Sequence, residues 1–287
     1  MEPPASDAEA AAPAALAATG EAAPAAPEAA APAPPEVAPA PPAPAAGDAG
    51  QVNATPAPAL RQYKADPPPS AEFALDVKRV DADGTIWSGA AVMSWRFDGD
   101  SYGVSMEAGL NLLFTRVNLL ALTSDGGVDD SGIAPVTATE KRKGRAPTVT
   151  HFNRKDGRIT FSGGERAYPL QPGAQDKATL PFQLAAIGRA DVNQLQGNID
   201  VLVGEDNEAN VFRFHLVGED ELNTKMGRIV TWHLSRPPKP GTYSSRLDIW
   251  LAPSRGWYPV QIKNTEANGA VTTQSVSNIT ETESRGR

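Results

Sequence analysis

The side chains able to do acid–base or metal chemistry are few and scattered. The chain has three histidines, His151, His215 and His233, and no cysteine. Without a thiol there is no Cys nucleophile, thiolate zinc site or disulfide framework. Each histidine stands singly in a separate strand-like stretch, and none shows the His-x-x-x-His or nearby-carboxylate spacing of a metal site. His215 lies between Phe214 and Leu216, and His233 between Trp232 and Leu234. Strand alternation therefore predicts that both rings turn away from their apolar neighbours, towards solvent. There is no Gly-x-Ser-x-Gly elbow, no GxxxxGK[ST] and no strand-led GxGxxG. The acidic groups Asp129-Asp130, Glu205-Asp206 and Glu219-Asp220-Glu221 fall at expected turns and read as solvated loops. Asp81-Ala82-Asp83-Gly84 is faintly like a calcium loop, but its sixth position is Ile86 and its twelfth is Val92, where a Gly and a bidentate Glu are needed. The expectation is no catalytic residue, no metal and no cofactor; an enzymatic reading needs two carboxylates converging in a cleft.

What is left is apolar. Most of the tryptophans alternate with polar residues, so several should line one concave face. Trp87, Trp95, Phe114, Leu180, Leu184, Trp232 and Trp250 form the candidate apolar ligand face. Two readings of that set stay open: filling of the core, or the lining of a cavity for an acyl chain or lipidated peptide.

The elements that must position these groups are mainly strands. Phe73, Leu75 and Val77 alternate with polar neighbours up to Val80, then come Thr85–Phe97 and the alternating Tyr102, Val104, Met106 and Ala108, a three-strand meander. The apolar run through Leu112-Leu113-Phe114 to Leu122 reads as irregular, then strand. Further strands are predicted at 148–153, 158–162, 199–204, 211–217, 228–235, 244–251, 260–267 and 271–279, the last pair closing on Asn268-Gly269. The run Glu140-Lys141-Arg142-Lys143-Gly144-Arg145 reads as a solvated turn. One helix is predicted at about 177–188, where Leu180, Leu184 and Ile187 recur at helical spacing behind Asp176, with Pro181 in the first turn. The predicted fold is mainly β: a large curved antiparallel sheet or partly open barrel covered by that helix.

Composition divides the chain. Residues 1–70 are rich in Pro and Ala and poor in the large side chains a core requires, so they read as a disordered, extended spacer. The β-domain is placed at 71–281 and a disordered C-terminus at 282–287. Residues 1–60 carry seven acids and no Lys or Arg; the remaining 27 of the 34 acids face 26 basic residues, so the domain is almost neutral. That gives no footprint for nucleic acid. A proline-reading partner would favour PxxP beside an Arg, and no Arg precedes Arg61. No run of about 18 apolar residues and no n-region or h-region is visible. Membrane proximity would come through an N-terminal anchor absent from this sequence.

The order of motifs in 72–281 resembles a bacterial envelope family, domain of unknown function 3108. The matching pieces are Asp156-Gly157-Arg158-Ile159-Thr160-Phe161, Asp176–Ile187, Leu222-Asn223-Thr224-Lys225-Met226-Gly227, Asp248-Ile249-Trp250-Leu251-Ala252-Pro253 and Trp257-Tyr258-Pro259-Val260. Thr224-Lys225-Met226-Gly227 stands where the family has Thr-Pro-x-Gly. The resemblance implies an exported protein, periplasmic or anchored in the inner membrane and facing the periplasm, with a curved antiparallel sheet and no assigned activity. The leading expectation is a non-enzymatic protein on a long spacer that binds an apolar ligand or an envelope client protein. The alternatives are a scaffolding module that docks other envelope components and a hydrolase with an unrecognised carboxylate pair.

Overall fold

The computed structural model describes residues 60–282 apart from 113, 114, 240 and 242, with the backbone alone over 110–117. Residues 1–59 of the spacer expected at 1–70, residues 283–287 of the C-terminus expected at 282–287, and Phe114 lie outside the described residues.

Fifteen strands form one open sheet. β1 (Ala71–Val80), β2 (Ile86–Phe97), β3 (Ser101–Leu112), β4 (Thr115–Asp129), β5 (Gly132–Arg142), β6 (Thr148–Asn153), β7 (Arg158–Phe161) and β8 (Ala167–Pro169) follow one another outwards as a meander. β9 (Gln175–Asp176), β10 (Asn198–Glu205), β11 (Glu208–Thr224), β12 (Gly227–Arg236), β13 (Arg246–Leu251), β14 (Pro259–Thr265) and β15 (Val271–Glu281) form the other wing. β15 pairs with β1, so the first and last strands meet at the centre of the sheet and β8 and β9 are its edges. All pairings are antiparallel except β9 with β10. Helix α1 (Leu180–Ala190) connects these two strands.

Alternation sets the faces. In β1, Phe73, Leu75 and Val77 are buried while Glu72, Ala74 and Lys78 are exposed. Their cross-strand partners Met93, Ala91 and Gly89 continue the inner face into β2. The two-residue turn between β10 and β11 places Asp206 and Asn207 at φ 47° and 66°, the left-handed geometry of a tight hairpin.

The helix starts three residues later than its spacing predicts because Asp176 shapes the approach: its Oδ1 accepts from the backbone N–H of Ala178 (2.8 Å) and Thr179 (3.1 Å). Pro181 sits in the first turn, where no backbone donor is needed. Every residue from Leu180 to Gly188 is buried, so the helix lies inside the curved sheet with protein on all sides. Phe182 joins the core built on Phe73, Trp95 and Tyr258; Leu184 and Ile187 join a second one with Leu195, Ile199, Phe214 and Leu234.

Four sequence expectations change. Sequence patterning predicts no strand at β5, yet Glu140, Lys141 and Arg142 belong to it, leaving only Lys143–Arg145 as turn. β11 runs on through Glu219-Asp220-Glu221 after a bulge at Val217, so that acidic group is strand and not loop. β8 was also unread. Finally, residues 60–69, placed in the spacer, pack as an irregular strap: Tyr63 is buried, Asp66 N–H donates to Ala186 O (3.0 Å), and Trp95 Nε1 and Tyr258 OH donate to Pro68 O (2.9 Å) and Pro69 O (3.1 Å).

Candidate apolar cleft

The two wings come together through side chains. Ser124 Oγ of β4 donates to Asp176 Oδ2 (2.6 Å), and Tyr102 OH lies 2.8 Å from Ser124 Oγ. Gln175 Nε2 donates to Ile133 O of β5 (2.6 Å). Gln183 of the helix accepts from Ile133 N–H (2.9 Å) and donates to Ser131 O (2.7 Å), so an amide inside an apolar helix meets the peptide groups at the start of β5. Lys177 spans the same gap, reaching Glu140 (3.0 Å), Asp206 (2.8 Å) and Glu205 (3.7 Å); Arg142 pairs with Glu140 and with Asp206. Burial pulls the Lys177 ammonium down, but three carboxylates outweigh it and hold its pKa above the ordinary lysine value. Burial pushes the Asp176 carboxyl up in spite of its hydrogen bonds.

Next to this clasp, between the wings and the first turn of α1, lies a cleft of about 140 Å³. One wall is a cross-strand row: Met93 of β2 opposes Met106 of β3, which opposes Leu122 of β4, with Val104 and Leu120 beside it. The other is Ile249 of β13 opposite Ile262 of β14, which opposes Gln274 of β15, flanked by Val203, Phe212 and Leu247. Leu180 and Pro181 close it from the helix. Its polar lining is Lys177, Glu205, Arg236, Asn264 and Gln274. Arg236 lies over the Phe212 ring, Cζ 3.9 Å from the centroid.

Of the sequence-predicted face, the cleft takes Leu180. Trp95 is fully buried, stacked on Phe182. Leu184 is in the second core. Trp232 faces Trp257 at 6.5 Å, and half-buried Trp87 donates to Asp81 Oδ2 (2.7 Å) at the β1–β2 turn. Trp250 sits on the opposite face of β13 from cleft residue Ile249 and stacks on His233 at 4.3 Å. These side chains do not share one surface. The cleft residues that the sequence did not reveal carry a faint signal, Met93, Met106 and Leu122 recurring on the inner face of successive strands. Arg236, before Pro237-Pro238, carries none.

The surface reading of His233 is overturned. Its ring is buried, with Nδ1 3.0 Å from Asp220 Oδ2 and Nε2 2.9 Å from Asp248 Oδ1. Trp250 Nε1 also donates to Asp220 (2.8 Å), and Arg246 donates to Asp248 from Nε (2.8 Å) and Nη2 (2.9 Å). Burial pushes the Asp248 carboxyl up, but the donors His233, Arg246 and Ser235 outweigh it and hold it far below the usual carboxylate range. On this outer side of β12 and β13 the polar groups satisfy one another. His151 and His215 are exposed, as alternation predicts for His215. Among the described residues no group of three or more His, Cys, Asp or Glu is placed to hold a metal ion, and no helix is long and apolar enough to cross a membrane.

The family described as "Protein of unknown function (DUF3108)" matches residues 76–275. No curated protein matches the chain. Among solved structures, a DUF1329 family protein from Desulfovibrio piger is 11% identical with a TM-score of 0.30, covering 75% of this chain and 87% of that one. A putative exported protein with a YmcC-like fold from Bacteroides fragilis is 10% identical with a TM-score of 0.30, covering 77% and 100%. A LolA superfamily protein from Nitrosomonas europaea is 10% identical with a TM-score of 0.22, covering 76% and 89%. Scores this low establish no common fold.

Proposed function

The chain belongs to the DUF3108 family of proteins of unknown function, and we propose that it is a non-enzymatic binding protein of the bacterial envelope that holds a single alkyl or acyl chain in the cleft under α1. The observation that carries this reading is the apolar lining from both wings, Met93, Met106 and Leu122 on one side and Phe212, Ile249 and Ile262 on the other, with few polar side chains among them. Methionine suits such a wall because its thioether chain adapts to an occupant without a fixed shape. At about 140 Å³ the cleft is comparable to an engineered apolar cavity of about 150 Å³ that takes up benzene, and smaller than the ~300–1,000 Å³ of pockets for drug-sized ligands. It suits the end of one chain and not a whole lipid. A periplasmic location and the residues before 60 as a spacer fit this role, since a cleft of this kind would meet acylated molecules near a membrane.

The test is uptake of a hydrophobic dye by the full chain, displaced by carboxylates of increasing chain length. Each added methylene should tighten binding by about 0.8 kcal/mol until the cleft is full, after which the affinity levels off. If the protein takes up no dye, or if the carboxylates displace it with affinities that ignore their chain length, the reading fails.

A further inference from the structure

The cleft contains a cation that its own protein leaves half-used. Arg236 enters at the end of β12, and only its Nη2 is engaged, donating to Ser245 O (2.8 Å) and Ser245 Oγ (3.1 Å). Its Nε is buried and meets no acceptor, and among the described residues no carboxylate pairs with it directly. Burial lowers the guanidinium pKa, opposed by the field of Glu205. A guanidinium stays protonated at that depth, so the protein keeps a permanent charge and an unmade hydrogen bond beside a largely apolar lining. A buried donor without an acceptor is costly, and an Arg fork is the side chain that best receives a planar pair of oxygens.

Resting on the reading of the cleft as an acyl site, we propose that Arg236 is its head-group anchor: Nη1, which no described residue engages and which is not sealed off as Nε is, donates to the carbonyl or carboxylate oxygen at the end of the bound chain, with Asn264 and Gln274 of the polar lining on the neighbouring strands. The Phe212 ring fixes the guanidinium plane from below. The charged groups around this end are Lys177, Arg142 and Arg236 against Glu205, Asp206 and Glu140, which balance three to three. Glu205 lines the same cleft but is held by Lys177 at 3.7 Å, so an incoming oxygen meets a locally neutral group. The recognised chemistry is the acyl oxygen, supplied either by a free fatty acid or by the ester of an acylated molecule.

The experiment uses the full chain with a bound fluorescent hydrophobic dye, displaced by dodecanoate, methyl dodecanoate or dodecane. Arg236→Met keeps the stem over Phe212 and removes the donors. It should weaken dodecanoate, methyl dodecanoate or both by on the order of tenfold while dodecane changes less than twofold. Loss for dodecanoate alone identifies a free acid; loss for the ester as well identifies an acyl ester. Equal effects on all three ligands, or none, overturn the anchor while leaving the cleft reading standing. Failure of all three to displace dye from the wild-type chain overturns the cleft reading and the anchor with it. Should Arg236→Met not fold, the Arg236 guanidinium N–H resonance of the wild-type chain decides: it should move on addition of the oxygen-bearing ligand and stay fixed with dodecane, and no movement with either oxygen-bearing ligand refutes the anchor.

Discussion

Phe182 of α1 stacks on Trp95 of β2 with ring centroids 4.4 Å apart and planes 11° from parallel. Trp95 in turn stacks on Tyr102 at 5.6 Å and donates to Pro68 O, so one indole ties the helix, the sheet and the strap together. Both side chains are fully buried. Phe182→Ala should cost about 3–5 kcal/mol in chemical denaturation, the range for removing a buried aromatic ring. A cost below 1 kcal/mol would mean that the helix is not docked as described.

Gly126 of β4, opposite the β5 bulge at Val136, has backbone where a side chain would go: a Cβ there would lie 2.4 Å from Ala134 O and 2.9 Å from Val136 N. Since neither atom belongs to a flexible side chain, Gly126→Ala should destabilise by roughly 1–3 kcal/mol through displaced backbone, read as a lowered denaturation midpoint. An unchanged midpoint would contradict this packing of β4 against β5.

Asp248 and Asp176 should respond to pH with opposite sign. The folded pKa of Asp248 is depressed, so its stabilising effect is present above the unfolded value of about 3.9 and is lost as pH falls below it. Asp248→Asn should cost about 1–3 kcal/mol at pH 7, and the gap to wild type should close on acidification below about pH 4. A gap independent of pH would rule out the charged network with His233 and Arg246.

For Asp176 the folded pKa is raised, so the wild type loses stability as pH rises from about 4 through that folded value. Asparagine can keep the Ala178 and Thr179 acceptor and donate to Ser124, whose hydroxyl then turns to Tyr102. Denaturation of Asp176→Asn and wild type at pH 4.5 and 7.5 should show the variant gaining on wild type at the higher pH, whereas Asp176→Ala, which leaves those N–H groups unmet, should be destabilised at both. A wild-type advantage that grows with pH would show that the carboxylate is ionised without penalty.

Much of this architecture was legible in the sequence. Period-two patterning locates β1, β2 and β12 to β15 within a residue or two and the start of β3, and Asp176 with Pro181 signals the helix. β5 was hidden by Pro135 and by its charged end, whose residues Glu140 and Arg142 are held by Lys177 and Asp206 from the other wing, a long-range partnership that local patterning cannot contain. For the same reason Glu219-Asp220-Glu221 looked like a turn: Asp220 is tied to strand neighbours by His233 and Trp250. The tryptophans drew the site reading because they are large, yet size is what a core needs at a helix–sheet contact. The cleft is lined instead by thinner Met, Leu and Ile side chains, and Arg236 is recognisable as part of it only once β10 to β13 are assembled.

The most direct measurement of the central claim is fluorescent fatty-acid binding to the full chain and to Ala178→Phe, whose ring would occupy the cleft from the helix side. The wild type should bind one probe per chain, saturably, and the variant should bind it at least tenfold more weakly with an unchanged denaturation midpoint. Absence of saturable binding in the wild type, or equal affinity in the filled variant, would contradict an apolar ligand in this cleft.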